Sequence, residues 1–479
     1  MQMRQSPVIF TSLFFAMSAH ASTTNNRIQH AASLDNAAAT EDISMPTVPV
    51  FDAATAAKIA NTHLPSARLS SQRPTRILTL PALHDDESKI ALLQNRRQML
   101  TEHNQPLQVG FARKIQQKNI NLANLEWRVS QRGTLVTVFE IKSEFAAALR
   151  AAMQFESTPR HLGELNQARI RFFGNDGKVF EDTAKNYVNE QWSPVITGDV
   201  LTVELELPTT MDPRQFRLHI TQISHLKTAP NAVLKRMLRS GPGSDRCERD
   251  VACKQNPSVS YTNTANAVAR MLFTSNGNTF ICTGTLLNNN NTPKRYLFWT
   301  AAHCIQTRKE AASLETYWFY QHATCNGTNS DDSAISLNGG ARLLYTNPQR
   351  DTTLLELNKA PPLGAFYAGW SNQPLTRLGT PVIGFHHPVG DVKKYSSGKV
   401  IETNVTVNNH RPYFAITWLE GVTEEGSSGS GLFTLSPTGD YQLRGGLYGG
   451  TSSCMAEGSP DYYSRFSDVF ERIRPYFGK

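Results

Sequence analysis

Glu425-Gly426-Ser427-Ser428-Gly429-Ser430-Gly431 is a small-residue turn set inside an otherwise strand-like region. With Ser428 as a nucleophile the turn acquires a chemical purpose. A serine hydroxyl attacks poorly unless a base removes its proton and backbone amides await the oxyanion that forms. Glycines on either side permit that geometry: Gly426 can turn its own N–H and that of Ser428 toward one point, and Gly429 is expected to let a substrate come close. Taken alone, the stretch reads more simply as an ordinary Gly/Ser turn of the kind that punctuates β proteins.

Two other stretches change that balance. Thr300-Ala301-Ala302-His303-Cys304 follows the apolar run Tyr296-Leu297-Phe298-Trp299 and places a general base at a strand end. Arg350-Asp351-Thr352-Thr353-Leu354-Leu355-Glu356-Leu357 opens an apolar strand with an acid, which could hold the imidazole through its second nitrogen. Singly, such a His or Asp is more often structural. Together, His303, Asp351 and Ser428 supply base, orienting acid and nucleophile for acyl transfer, with the N–H groups of Gly426 and Ser428 as the oxyanion hole.

Their order along the chain is that of chymotrypsin-like enzymes and not of subtilisins or α/β-hydrolases. In these motifs the sequence resembles the chymotrypsin-like serine peptidases, and more closely the secreted bacterial lysyl endopeptidases of the protease IV type. The same holds for Phe280-Ile281-Cys282-Thr283-Gly284-Thr285-Leu286-Leu287-Asn288-Asn289, Trp318-Phe319-Tyr320-Gln321, His386-His387-Pro388 and Leu443-Arg444-Gly445-Gly446-Leu447-Tyr448-Gly449-Gly450. The resemblance covers nearly all of the C-terminal half. It implies an all-β catalytic domain of two antiparallel β-barrels with a C-terminal helix, a site in the cleft between them, a monomer, and no cofactor. Two positions depart from the wider pattern: Trp299 stands where a smaller aliphatic is usual, and Ser427 replaces the acid that normally precedes the nucleophile. In the animal enzymes that acid receives a new N-terminal amine on zymogen cleavage, so this chain is not expected to switch on in that way.

The resemblance also bears on what is cleaved. Trypsin-like enzymes carry a specificity acid six residues before the nucleophile, where this sequence has Val422. In lysyl endopeptidases the acid lies later, in a segment similar to Pro460-Asp461-Tyr462-Tyr463-Ser464, which makes Asp461 the expected partner of a lysine ammonium. Pocket depth would separate compact lysine from planar arginine. Trp418 and Tyr448 are expected to wall the pocket, and Leu447-Tyr448-Gly449 to pair with substrate backbone. In the best-known relatives a His stands at the Tyr448 position. Glu424 and Glu425 are rival acids expected to face solvent, and His386-His387 has no third metal ligand at a recognisable spacing, so it is expected to be structural.

All six cysteines, Cys247, Cys253, Cys282, Cys304, Cys325 and Cys454, fall in the C-terminal half. Six cysteines allow fifteen pairings, and sequence does not choose among them. The resemblance implies Cys247 with Cys454, Cys253 with Cys325 and Cys282 with Cys304. A zinc site is the competing reading, disfavoured by the lack of a paired C-x-x-C and by an oxidising destination.

That destination is read from the start of the chain. Arg4, an apolar run over residues 8–17 and Ala19-His20-Ala21 have the form of a secretory signal cleaved after Ala21. The run is too short for a permanent membrane anchor. The expectation is a protein exported through a bacterial periplasm and secreted. Residues 22–71 read as a flexible leader, residues 90–100 have helical spacing, and from about residue 120 alternating stretches suggest a small, mainly β domain. A basic and then Gly/Pro/Ser-rich stretch over residues 233–244 resembles an exposed processing linker. Cutting after Lys235 would let a lysine-directed enzyme release itself, with Arg239 as the alternative site. Residues 22–235 would then be a propeptide that assists folding and inhibits, and residues 236–479 the peptidase domain; a permanently attached second domain is the other reading.

The formal charge of +8 over 479 residues comes without a dense Lys/Arg block, which argues against nucleic acid as partner. Protein or peptide substrates containing lysine are expected instead. The competing functions are an arginine/lysine trypsin-like peptidase and a secreted binding protein with a blocked pocket.

Overall fold

The computed structural model describes residues 41–52, 54–56, 73–81, 105–113, 115, 118–228, 244, 246–327, 334–408, 410–456 and 458–478. The signal segment with Ala21, the helical spacing at 90–100, and the processing candidates Lys235 and Arg239 lie outside the described residues. The chain is mostly β with few, short helices, consistent with an all-β chymotrypsin-like fold.

Strands Pro381–His386, Lys394–Val407, His410–Glu420, Gly431–Leu435, Tyr441–Gly450 and Asp461–Tyr463 close on themselves as a six-stranded barrel, Tyr441–Gly450 pairing with both Gly431–Leu435 and Asp461–Tyr463. A second ladder runs Ile335–Leu337, Glu315–Trp318, Val268–Ser275, Asn278–Leu286, Leu297–Thr300, Thr352–Leu357 and Ala341–Asn347. Of the two barrels expected, strand pairing closes one. The ladder's two end strands have no pairing with each other among the described residues.

The two parts meet in a shared apolar cluster. Trp299 from the ladder, Phe385, Phe433 and Leu443 from the barrel, and Phe466, Phe470, Ile473 and Phe477 from the C-terminal turn and helix Phe470–Ile473 are buried together around Trp370. Buried aromatics of this size dominate the hydrophobic stabilisation of such a seam. The unusual Trp299 is accommodated because its neighbour Gly446 has no side chain; a Cβ there would fall 2.6 Å from Trp299 Nε1.

The N-terminal part is a sandwich. Arg76–Thr79, Leu135–Lys142, Val200–Leu207, Arg169–Phe173 and Val179–Thr183 form one sheet, and Ala148–Glu156, Arg217–Leu226 and Leu107–Arg113 belong to the other. Phe139, Ile141, Ile170, Phe172, Val203 and Leu205 from the first pack on Leu149, Met153, Phe155, Leu218, Ile220 and Ile223 from the second. The strands begin earlier than the expected residue 120. Arg76–Thr79 has only four residues, too few for alternation to stand out, and pairs in parallel with Leu135–Lys142.

Leu107–Arg113 also pairs antiparallel with the ladder strand Asn278–Leu286, Leu107 opposite Ile281, so one sheet runs through both parts of the chain. Beside this junction the Arg150 guanidinium is fully buried. It donates to Ser313 O at 2.9 Å and Thr274 Oγ1 at 2.5 Å and lies over the Trp192 ring. Buried Glu315 accepts from the Val195 N–H at 3.0 Å. The leader reading also needs correcting: within it, Ser44–Met45 and Val48–Pro49 are strands docked on Gly369–Ser371 and Phe366–Tyr367. Their apolar residues are spaced by prolines that suppress any periodic signal.

Candidate active site

Pairing of Leu297–Thr300 with Thr352–Leu357, Thr300 opposite Thr353, brings the ends of these strands together. His303 follows the first and Asp351 precedes the second. The 3-10 turn Pro348–Arg350, capped by the Asn347 side chain, throws Asp351 into the left-handed region (φ 44°, ψ 50°), which aspartate tolerates better than most residues. There its carboxylate accepts twice from His303: from the backbone N–H to Oδ1 and from Nδ1 to Oδ2, both at 2.9 Å. A carboxylate offers only acceptors, so Nδ1 carries the proton, and in the neutral ring Nε2 carries the lone pair. His303 Nε2 is buried and makes no hydrogen bond among the described residues. The Tyr448 ring meets the imidazole edge-on, centroids 6.1 Å apart, and itself packs at a tilt against Tyr413.

Ser428 sits across the boundary between barrel and ladder. Its carbonyl accepts from the Thr283 N–H at 2.8 Å, and the Thr283 hydroxyl donates to Gly426 O at 2.9 Å, so the ladder strand grips the nucleophile turn at two points. Cys304, bonded to Cys282, lies beside the same Ser428 carbonyl. Gly426 has φ +92°, and neither its N–H nor that of Ser428 donates to another group among the described residues. Gly429 is not a glycine for the reason expected. A Cβ there would fall 2.3 Å from Thr300 Oγ1 and 2.7 Å from Thr283 O, so the missing side chain admits the ladder.

Asp461 is buried at the start of the last barrel strand. Oδ2 accepts from Trp418 Nε1 and Thr423 Oγ1 at 2.6 Å each and from Ser452 Oγ at 2.7 Å, while Oδ1 accepts, among the described residues, only from the Ser452 N–H at 3.3 Å. Burial pushes its pKa up, opposed by these donors. A cavity of about 320 Å³ is lined by Trp418, Val422, Ser452, Gly421, Gly458 and Cys247 among others. Trp418 and Ser452 both line it and donate to Asp461, which is not itself part of the lining, whereas Tyr448 packs on His303. Gly449 stands opposite Tyr462, Glu425 is exposed and Glu424 half-buried.

The disulfides are Cys247–Cys454, Cys253–Cys325 and Cys282–Cys304, the set the resemblance implies. The described residues include one close grouping of possible metal ligands, Cys282, His303 and Cys304. Its two sulfurs are spent in a disulfide, which removes the thiolates a metal would need.

Sequence reasoning missed Thr423 and Ser452, small hydroxyl residues on loops that carry no local signal. It also left His386 without a partner. That imidazole, fully buried, bridges Ser427 and Ser396, and the Ser396 hydroxyl donates to Val422 O at 2.6 Å. Ser427, standing where an acid was expected, is therefore tied to a neutral ring.

Two families match the sequence: the lysyl endopeptidase N-terminal domain over residues 79–227 and the lysyl endopeptidase C-terminal domain over residues 242–464. A protein named lysyl endopeptidase from Pseudomonas aeruginosa is 46% identical over 385 residues, 78% of this chain and 81% of that protein. A solved M. tuberculosis structure, the Rv3671c protease in its active form, aligns over 52% of this chain and 95% of its own at 16% identity, with a TM-score of 0.31. A peptidase built from both domains accounts for the two halves seen here, and the chain belongs to the lysyl endopeptidase family.

Proposed function

We propose that the chain is a secreted serine endopeptidase that cuts on the carboxyl side of lysine and is made as a preproenzyme. The observation that carries the reading is the double hold of Asp351 on His303, which fixes the ring with its basic nitrogen free. Ser428 Oγ attacks the carbonyl carbon as His303 Nε2 takes its proton. The N–H groups of Gly426 and Ser428 stabilise the resulting oxyanion, and His303 returns the proton to the leaving amine. Water, activated by the same nitrogen, then hydrolyses the acyl-enzyme.

Asp461 supports the choice of lysine. Three donors converge on Oδ2, leaving Oδ1 as the oxygen with capacity for an ammonium. A buried unpaired carboxylate is costly, so a substrate cation that reaches it is strongly favoured. Export by the segment ending at Ala21, cleavage after Lys235 and a folding and inhibitory role for residues 22–235 complete the reading. Hydrolysis of matched lysyl and arginyl peptide amides by the mature chain and by Asp461→Asn tests it. A lysine preference lost in the variant is expected. Equal cleavage of both amides by the parent chain would move specificity elsewhere, and no cleavage would leave a binding protein.

A further inference from the structure

Residues 43–50 precede the peptidase part by some two hundred residues in sequence, yet they are built into it. Ser44 pairs with Ser371 and Met45 with Trp370; then, beyond Pro46 and Thr47, Val48 pairs with Tyr367 and Pro49 with Phe366. Asn372 both donates to Ile43 O from its N–H at 3.1 Å and accepts the Ile43 N–H on Oδ1 at 2.8 Å. Asn288 Nδ2 donates to Pro46 O at 2.8 Å, and the Gly369 N–H to Thr47 Oγ1 at 2.9 Å. Met45 is buried in the Trp370 and Trp299 core, while Val48 and Val50 pack on the ladder's own core.

Gly369 gives an independent sign that this contact shapes the peptidase part. A Cβ there would fall 2.5 Å from Met45 O, so any other residue would collide with the docked backbone. The receiving segment, Phe366–Tyr367 and Gly369–Ser371, is the connection between the ladder strand Thr352–Leu357 and the first barrel strand Pro381–His386. A strand laid along it touches both the apolar cluster that ladder and barrel share and the ladder's own core.

We propose that residues 43–50 form a strap, a second attachment of the N-terminal part independent of the Leu107–Arg113 junction, whose docking site is the connection between ladder and barrel. The strap holds the two halves of the peptidase together as they fold, and it retains the N-terminal part after the chain is cut. The proposal rests on the propeptide reading. It extends that reading by placing a grip at the very region that sequence alone marks as a loose leader.

The test is made so that lysine-directed activity plays no part. In the full chain carrying Ser428→Ala, a recognition site for an unrelated protease is placed within residues 236–242 and cut, and release of the N-terminal fragment is followed by size exclusion and native mass spectrometry. Met45→Asp and Val48→Asp, which leave the peptidase sequence untouched, are expected to speed release by about tenfold or more. Unchanged release would overturn the strap. If the strap variants are recovered only as misfolded chain, a synthetic peptide spanning residues 42–52 is added during refolding. Restored recovery supports the proposal, and no restoration overturns it.

Discussion

His386 Nδ1 lies 2.8 Å from the Ser427 hydroxyl, while its Nε2 lies 2.9 Å from the Ser396 hydroxyl. The Ser396 proton is committed to Val422 O, so Ser396 must accept from Nε2–H, and Nδ1 must accept from Ser427. Ser427 in turn accepts the Glu424 N–H at 3.3 Å. The turn that presents Ser428 is thereby anchored by a neutral, fully buried chain of hydrogen bonds. No free terminal amine is required to hold it.

Ser427→Ala would break that chain and leave Nδ1 buried without a donor. The expected result is a stability loss of about 1–3 kcal/mol with kcat on a lysyl amide falling by about tenfold to a hundredfold as the turn relaxes. KM should change far less. Thermal melts and steady-state kinetics on the purified variant check both, and a change confined to KM would refute the positioning role.

Acid should unpick the same network. Burial, with a smaller effect from Lys394, holds the His386 pKa down at about 3. In the unfolded chain the ring titrates near its ordinary value of about 6.5, so between these values only the unfolded state binds the proton. The contribution is complete above the unfolded value and is lost as pH falls toward 3, at about 1.4 kcal/mol per pH unit. Urea midpoints measured from pH 7 to pH 4 should fall, and His386→Gln should flatten the slope.

Glu248 titrates in the opposite sense. Its side chain is fully buried 4.0 Å from His386, neither oxygen has a hydrogen-bond partner among the described residues, and burial raises its pKa well above the ordinary value. A folded pKa above the unfolded one means that the stability loss grows as pH rises past about 4.5. Glu248→Gln is expected to stabilise the protein at pH 8 by about 1 kcal/mol or more and to have little effect at pH 4. Paired denaturation curves at the two pH values decide it; equal effects at both would show that burial does not raise the Glu248 pKa in the folded state.

Removing the Cys282–Cys304 bond by a double change to alanine should cost about 3 kcal/mol in the chain-entropy picture. Because Cys304 lies against the Ser428 carbonyl, labelling of Ser428 by a fluorophosphonate should also slow. Loss of stability without slower labelling would separate the bond from the nucleophile.

Asp351→Asn leaves the size of the side chain but lets an amide present the wrong hydrogen-bonding pattern to Nδ1. A fall in kcat of about ten-thousandfold is expected, with the melting temperature little changed. A modest loss would mean that His303 is oriented by something else, and Tyr448 would be the next residue to vary.

The His303–Asp351 contact was legible in the sequence because each residue stands by a strand end inside a distinctive local pattern, and the Ser428 turn because its run of small residues is equally distinctive. Asp461 could be singled out only through resemblance, since an acid opening a short strand has no signature of its own. Its partners Thr423 and Ser452 were invisible for the same reason. The Gly429 expectation failed because a glycine reveals that something comes close without revealing what does. The sandwich was legible in its long alternating strands such as Val200–Leu207, but Ser44–Met45 and Val48–Pro49 are two-residue strands whose meaning depends wholly on what they dock against.

The sheet that passes from Leu107–Arg113 into Asn278–Leu286 has a consequence for the peptidase part on its own. If the N-terminal part departs, the backbone of Thr279, Phe280 and Ile281 is left as an open β-edge, a ready template for strands of other molecules. That edge is three residues long, and the pairing register already shifts between Thr279 and Phe280. Short, irregular edges resist edge-to-edge association. The junction is therefore long enough to guide one strand of the same chain into place and too short to recruit strangers afterwards.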